Sequence, residues 1–139
     1  MPPERFGPED PREWLNRARS NLARARALTP GAYFEELCFD AQQAAEKAIK
    51  AVLIKRGVAF PYVHDVNRLL DLVAQTGEPV PESLRPAARL TRFAVVTRYP
   101  WTGDAVTEEE HQQAVVAAEA VVRWAEGAVG YPGAARLSP

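Results

Sequence analysis

The chain has 139 residues, of which 47% are hydrophobic and 25% charged, with a formal net charge of −1. That is enough for one domain with a core that needs no disulfide or metal, and the near-neutral charge supplies no overall attraction to nucleic acid or an anionic membrane. The single cysteine, Cys38, excludes an internal disulfide and a multi-cysteine metal site. No apolar run approaches the roughly 20 residues of a membrane span, and the Pro-rich, charged N-terminus is unlike a signal peptide; the expectation is a cytoplasmic protein with no membrane partner.

Helix signals follow one another along the chain. Asp10-Pro11-Arg12-Glu13 reads as an N-cap, a proline at the first helical position and a capping-box glutamate. The helix they open carries Trp14, Ala18, Leu22, Ala25 and Leu28 on its apolar side. Thr29-Pro30 stops it and can start a second helix that runs to about Arg56 and ends at Gly57, a good left-handed cap position. At roughly 26 residues that helix would span about 39 Å. Val58 to Val63 reads as extended loop, because Pro61 argues against a paired strand.

Asp65 can cap a third helix with Leu69, Leu70 and Val73 inward, closed by Gly77. Ser83 can cap a fourth, with Leu84, Ala87, Ala88, Thr91 and Val95 inward and Pro86 in its first turn. Thr107 to Glu110 is a second capping box, opening a last helix through Ala114, Ala118, Val121, Val122 and Ala125. The expected fold is all-α, an antiparallel up-and-down bundle of four to five helices spanning residues 10–127. Residues 1–9 are expected to be a disordered N-terminal segment and 128–139 a flexible C-terminal tail.

On the second helix Ala41, Ala44, Ala45, Ala48 and Val52 form one stripe of small residues, against which Gln42, Gln43, Glu46 and Lys47 crowd, with Lys50 one turn beyond Glu46. That crowding suits a groove or a subunit interface. Arg98-Tyr99-Pro100-Trp101 lies between the fourth and last helices, where a guanidinium beside aromatic rings could hold a phosphate while a ring stacks on a base. The alternative reading is that Pro100 ends a helix while Arg98 pairs with Asp104 or a helix carbonyl. His64 reads either as a capping or core residue or as a lining of the same groove. Cys38 reads as a small buried hydrophobe. Arg12, Arg19 and Arg26, with Arg17 and Arg24, make a basic flank on the first helix, either a solvated face or a footprint for RNA or an acidic partner. With two histidines and no Cys/His cluster, neither a metal nor a cofactor is expected.

Gln42-Gln43-Ala44-Ala45-Glu46-Lys47 with Lys50, then His64-Asp65-Val66 with Leu69-Leu70, then Arg98-Tyr99-Pro100, resemble in order the Q-Q-A-x-E-K-x-x-K, H-x-L-x-x-L-L and R-Y-P motifs of HEPN domains (higher eukaryotes and prokaryotes nucleotide-binding). The resemblance covers roughly residues 12–127. It implies a helical bundle that self-associates as a homodimer or higher homo-oligomer and pairs with a small nucleotidyltransferase in a toxin–antitoxin-like module. It also implies nucleotide or RNA binding, for which Arg98, Tyr99, Gln43, Lys47 and Lys50 are the candidate residues.

Active ribonucleases of the family carry a histidine with four to six residues between it and the arginine. Here that window holds Gly103, Asp104 and Ala105, and His111 lies thirteen residues on. Metal-independent cleavage through a 2′-hydroxyl needs a group that exchanges a proton near neutral pH. A ribonuclease toxin would have to draw it from Tyr99, Asp104 or His64, around Arg98 in a composite dimer site. The remaining reading is a purely structural dimerisation bundle.

Overall fold

A computed structural model describes residues 2–60, 62–94 and 104–133 of the chain. Pro61, Val95, Arg98, Tyr99, Pro100, Trp101 and Gly103 lie outside the described residues. The fold is all-α, with no strand among the described residues: α1 (Pro11–Arg26), α2 (Phe34–Lys55), α3 (Val66–Gln75), a 3₁₀ helix (Glu82–Phe93) and α4 (Glu108–Val129).

The caps explain most boundaries. The Asp10 carboxylate accepts from the Arg12 amide and Pro11 occupies the first turn. The capping-box partner differs from expectation, since Glu13 accepts from the Phe6 amide rather than from Asp10. Asp65 accepts from the Arg68 amide, and Thr107 with Glu110 forms a complete capping box. At the end of α2, Gly57 adopts φ +73° while its amide bonds Ile54 O and the Val58 amide bonds Leu53 O, a Schellman motif.

Helix α2 begins later than the sequence suggests. Thr29-Pro30-Gly31-Ala32 closes a turn, with the Ala32 amide donating to Thr29 O and Gly31 at φ +88°. Proline followed by a glycine at positive φ is the type II pattern. The helix therefore starts at Phe34, has 22 residues and is about 33 Å long. Leu28 falls outside α1 and is exposed rather than inward. Helix α4 runs through Gly127 and ends at Gly130, φ +81°.

The fourth helix is the largest local departure. Pro81, not Ser83, stands at its N-cap, and Ser83 is exposed with no capping bond. Its buried residues are Leu84, Ala87, Leu90 and Phe93, a strict three-residue repeat. A 3₁₀ helix stacks that repeat on one edge, whereas 3.6 residues per turn would fan it over about half the cylinder.

Helix α2 is the axis of the bundle and packs on every other helix. Contacts of Arg24 and Asn21 with Asp40, and of Lys47 with Asn21, show α1 antiparallel to α2. Arg19–Glu126 and Arg26–Glu119 show α1 antiparallel to α4. Between α2 and α3 the connecting segment makes the return, bringing His64 back beside Glu46. The small-residue stripe of α2 is wholly buried inside this one chain, from Ala41 to Leu53. It is core, and it leaves no face for a second subunit.

Candidate functional site

The polar residues beside that stripe form a buried network. Glu46 Oε1 accepts from Gln42 Nε2 at 2.9 Å and lies 2.7 Å from His64 Nδ1, while Oε2 accepts from Lys50 Nζ at 2.8 Å. Gln43 joins through its amide, donating to Gln42 Oε1 at 2.7 Å. The Lys50 ammonium also sits 5.2 Å from the Phe60 ring centre, and Phe60 meets Trp14 edge-on. Burial pushes the Glu46 carboxyl upward, but hydrogen bonds from Lys50, His64 and Gln42 outweigh it and hold the group below its ordinary range.

An ionised carboxylate only accepts hydrogen bonds. Nδ1 of His64 therefore carries the proton, and in the neutral ring Nε2 is left as an acceptor on a side chain that is 52% exposed. His64 neither caps α3, a role filled by Asp65, nor sits in the core.

Lys47 belongs to a second cluster on the α1 side. Its ammonium donates to Asn21 Oδ1 at 2.7 Å, and Asn21 Nδ2 donates to Asp40 at 3.0 Å. Burial, then the Arg17 charge, lowers the Lys47 pKa. The arginine flank of α1 resolves into ion pairs: Arg12 with Asp10, Arg17 with Glu13, Arg19 with Glu126, Arg24 with Asp40 and Arg26 with Glu119. Each of the five arginines thus faces a carboxylate, as on a solvated, paired face.

His111 is structural. It is buried, its Nε2 lies 2.6 Å from Ala25 O, and its ring stacks on Phe34 at 5.4 Å. The carbonyl can only accept, so Nε2 holds the proton, and Nδ1 has no hydrogen-bond partner. Cys38 is buried, and burial pushes its thiol up to about 12, which makes it inert. Asp104 is exposed, four residues before α4. Among the described residues no cluster has the makings of a metal site, and no helix is long and apolar enough to cross a membrane.

A groove of about 830 Å³ lies between the 3₁₀ helix and α4. Leu90, Phe93, Ala114 and Ala117 line it, and the Arg92–Glu110 pair at 2.9 Å stands at the end from which the chain runs on towards Arg98. Thus the structure brings His64, Gln43 and Lys50 into one network, puts Lys47 in its neighbour and leaves Asp104 apart. Sequence reasoning missed Asn21, Asp40 and Phe60: Asn21 of α1 meets Asp40 of α2 from 19 positions away, and Phe60 reaches Lys50 from the loop after α2. The one available signal was polar residues on an otherwise apolar helix face.

The HEPN domain family matches residues 11–128. Among solved structures the chain is similar to ST0689, an archaeal HEPN homologue, at 27% identity over 86% of this chain and 98% of that one, with a TM-score of 0.69. It is also similar to TT1696 from Thermus thermophilus, at 37% identity over 85% of this chain and 97% of that one, with a TM-score of 0.67. No curated protein matches.

Proposed function

The chain belongs to the HEPN domain family, and from that premise we propose that it is a cytoplasmic subunit that self-associates, pairs with a small nucleotidyltransferase in a toxin–antitoxin-like module, and binds nucleotide or RNA phosphate through Arg98 and Tyr99. The observation that carries this reading over a self-sufficient ribonuclease is His111. It is the one histidine that follows Arg98, and it is buried, bonded to Ala25 O and stacked on Phe34. A ring so placed cannot exchange protons with a substrate. The polar ends of Gln43, Lys47 and Lys50, the other candidate contacts, are engaged by partners within the bundle.

The test is to purify the chain with its native partner and assay the complex for nucleotide binding and RNA cleavage. Binding without cleavage supports the subunit reading, and absence of any partner or ligand removes it. The ribonuclease alternative has one observation in its favour. Glu46 orients His64 so that a free Nε2 acceptor stands on a half-exposed ring, which is the arrangement of a proton acceptor. EDTA-resistant cleavage lost in His64→Ala would favour it.

A further inference from the structure

The face that carries self-association can be located, an inference that rests on the self-association in the reading above. The α2 stripe is unavailable, being buried within the chain. Of the four large hydrophobic side chains exposed on the described surface, two, Leu28 (66% exposed) and Val116 (67%), meet on one face. Val116 lines the groove between the 3₁₀ helix and α4, and also the adjoining depression it shares with Leu28. The apolar surface is therefore continuous from the end of α1 across α4. Next to Val116 the groove is walled by Ala117 and Ala120, small residues that let a facing helix come to about 8 Å.

The charges select the occupant. The 3₁₀ helix and α4 run antiparallel, with Arg92 on Glu110 at one end and the Trp124 indole donating to Pro79 O at the other. One wall carries Arg89 and the other Glu109, and both lie without an ion-pair partner among the described residues. A partner of uniform charge would satisfy one and repel the other. A second copy related by a two-fold axis presents Glu109 to Arg89 and Arg89 to Glu109, because in such an interface residue i meets j and j meets i.

The geometry points to a two-fold homodimer in which Val116 of each chain packs on the partner copy's groove wall at Ala117 and Ala120, flanked by two reciprocal Arg89–Glu109 pairs. Such pairs fix orientation more than they add affinity, and the apolar strip supplies the binding.

Analytical ultracentrifugation of the full chain at micromolar concentration and moderate salt tests this. The wild type is expected at twice 15.3 kDa. Val116→Asp and Arg89→Glu should each weaken association by about tenfold or more, with unchanged far-UV circular dichroism, since both positions are on the surface of the monomer. Arg89→Glu combined with Glu109→Arg should restore the dimer, a rescue that general surface damage cannot give. A monomeric wild type overturns both this inference and the self-association it rests on. A dimeric wild type left intact by Val116→Asp and Arg89→Glu overturns the location alone.

Discussion

Nδ1 of His64 lies 2.7 Å from Oε1 of Glu46, tying the loop before α3 to the middle of α2. The same carboxylate holds Lys50, whose side chain is only 8% exposed. Removing one partner from a buried charge pair leaves the other desolvated, at about 3–5 kcal/mol. Glu46→Gln should therefore destabilise the fold by that order, measured by urea denaturation at neutral pH. A loss under about 1 kcal/mol would show that Lys50 finds water instead.

The same group makes stability depend on pH in a defined direction. The folded pKa of Glu46 is held below its ordinary value of 4.5. Its contribution is thus fully present above about pH 4.5 and is lost as pH falls through the folded value, because below that the unfolded chain gains no further proton advantage. Asp10, Glu13 and Glu110 are lowered too, so the wild-type acid limb alone cannot isolate Glu46. The difference between wild type and Glu46→Gln can: it should shrink as pH drops below about 4.5. A difference constant from about pH 7 to pH 3 would remove Glu46 as its source.

His111 should matter for folding and not for ligands. His111→Ala gives up the bond to Ala25 O and the stack on Phe34, at roughly 2–4 kcal/mol. Nucleotide or RNA affinity, measured well below the melting point, should stay within error. Selective loss of binding at full stability would return His111 to the site.

How much of this was legible follows the range of each signal. Caps act over three residues, so Asp10, Asp65 and the Thr107–Glu110 box could be read directly. Polar residues crowding the α2 stripe were visible, but not that Asn21, Asp40 and His64 would satisfy them, since those contacts span 18 to 26 residues. The start of α2 falls later than expected because Thr29-Pro30, which can cap a helix, closes a turn instead once Gly31 takes a positive φ. In the fourth helix, Leu84 and Ala87 fit both periods, and only the burial of Leu90 and Phe93 decides for three residues per turn. The arginine flank was ambiguous until its carboxylate partners on α2 and α4 were placed.

Arg98 is the residue on which ligand binding should depend. Arg98→Ala should weaken nucleotide or RNA binding by roughly 1.5–3 kcal/mol, the range of a hydrogen bond to a charged group. Arg98→Lys should fail to rescue most of it, because a single ammonium lacks the planar fork. Calorimetry at moderate salt reads both, and unchanged binding in the pair would leave Arg98 a structural role only.

The isolated chain should be a poor or inactive ribonuclease. A placed proton-transfer group supplies about 10²–10⁴-fold in rate. Here His111 is locked in the core, and the histidine of the family's active ribonucleases is absent after Arg98. Asp104 stands six residues after Arg98 and is exposed. Asp104→His therefore rebuilds the spacing without disturbing the core, and should raise cleavage of single-stranded RNA above wild type, with the gain lost again in Arg98→Ala. If instead the unmodified chain cleaves strongly in EDTA, His64→Ala decides the source. Loss of that activity would assign it to the Glu46-held imidazole and replace the subunit reading with the toxin. Retention would place the proton donor among Tyr99 and Asp104.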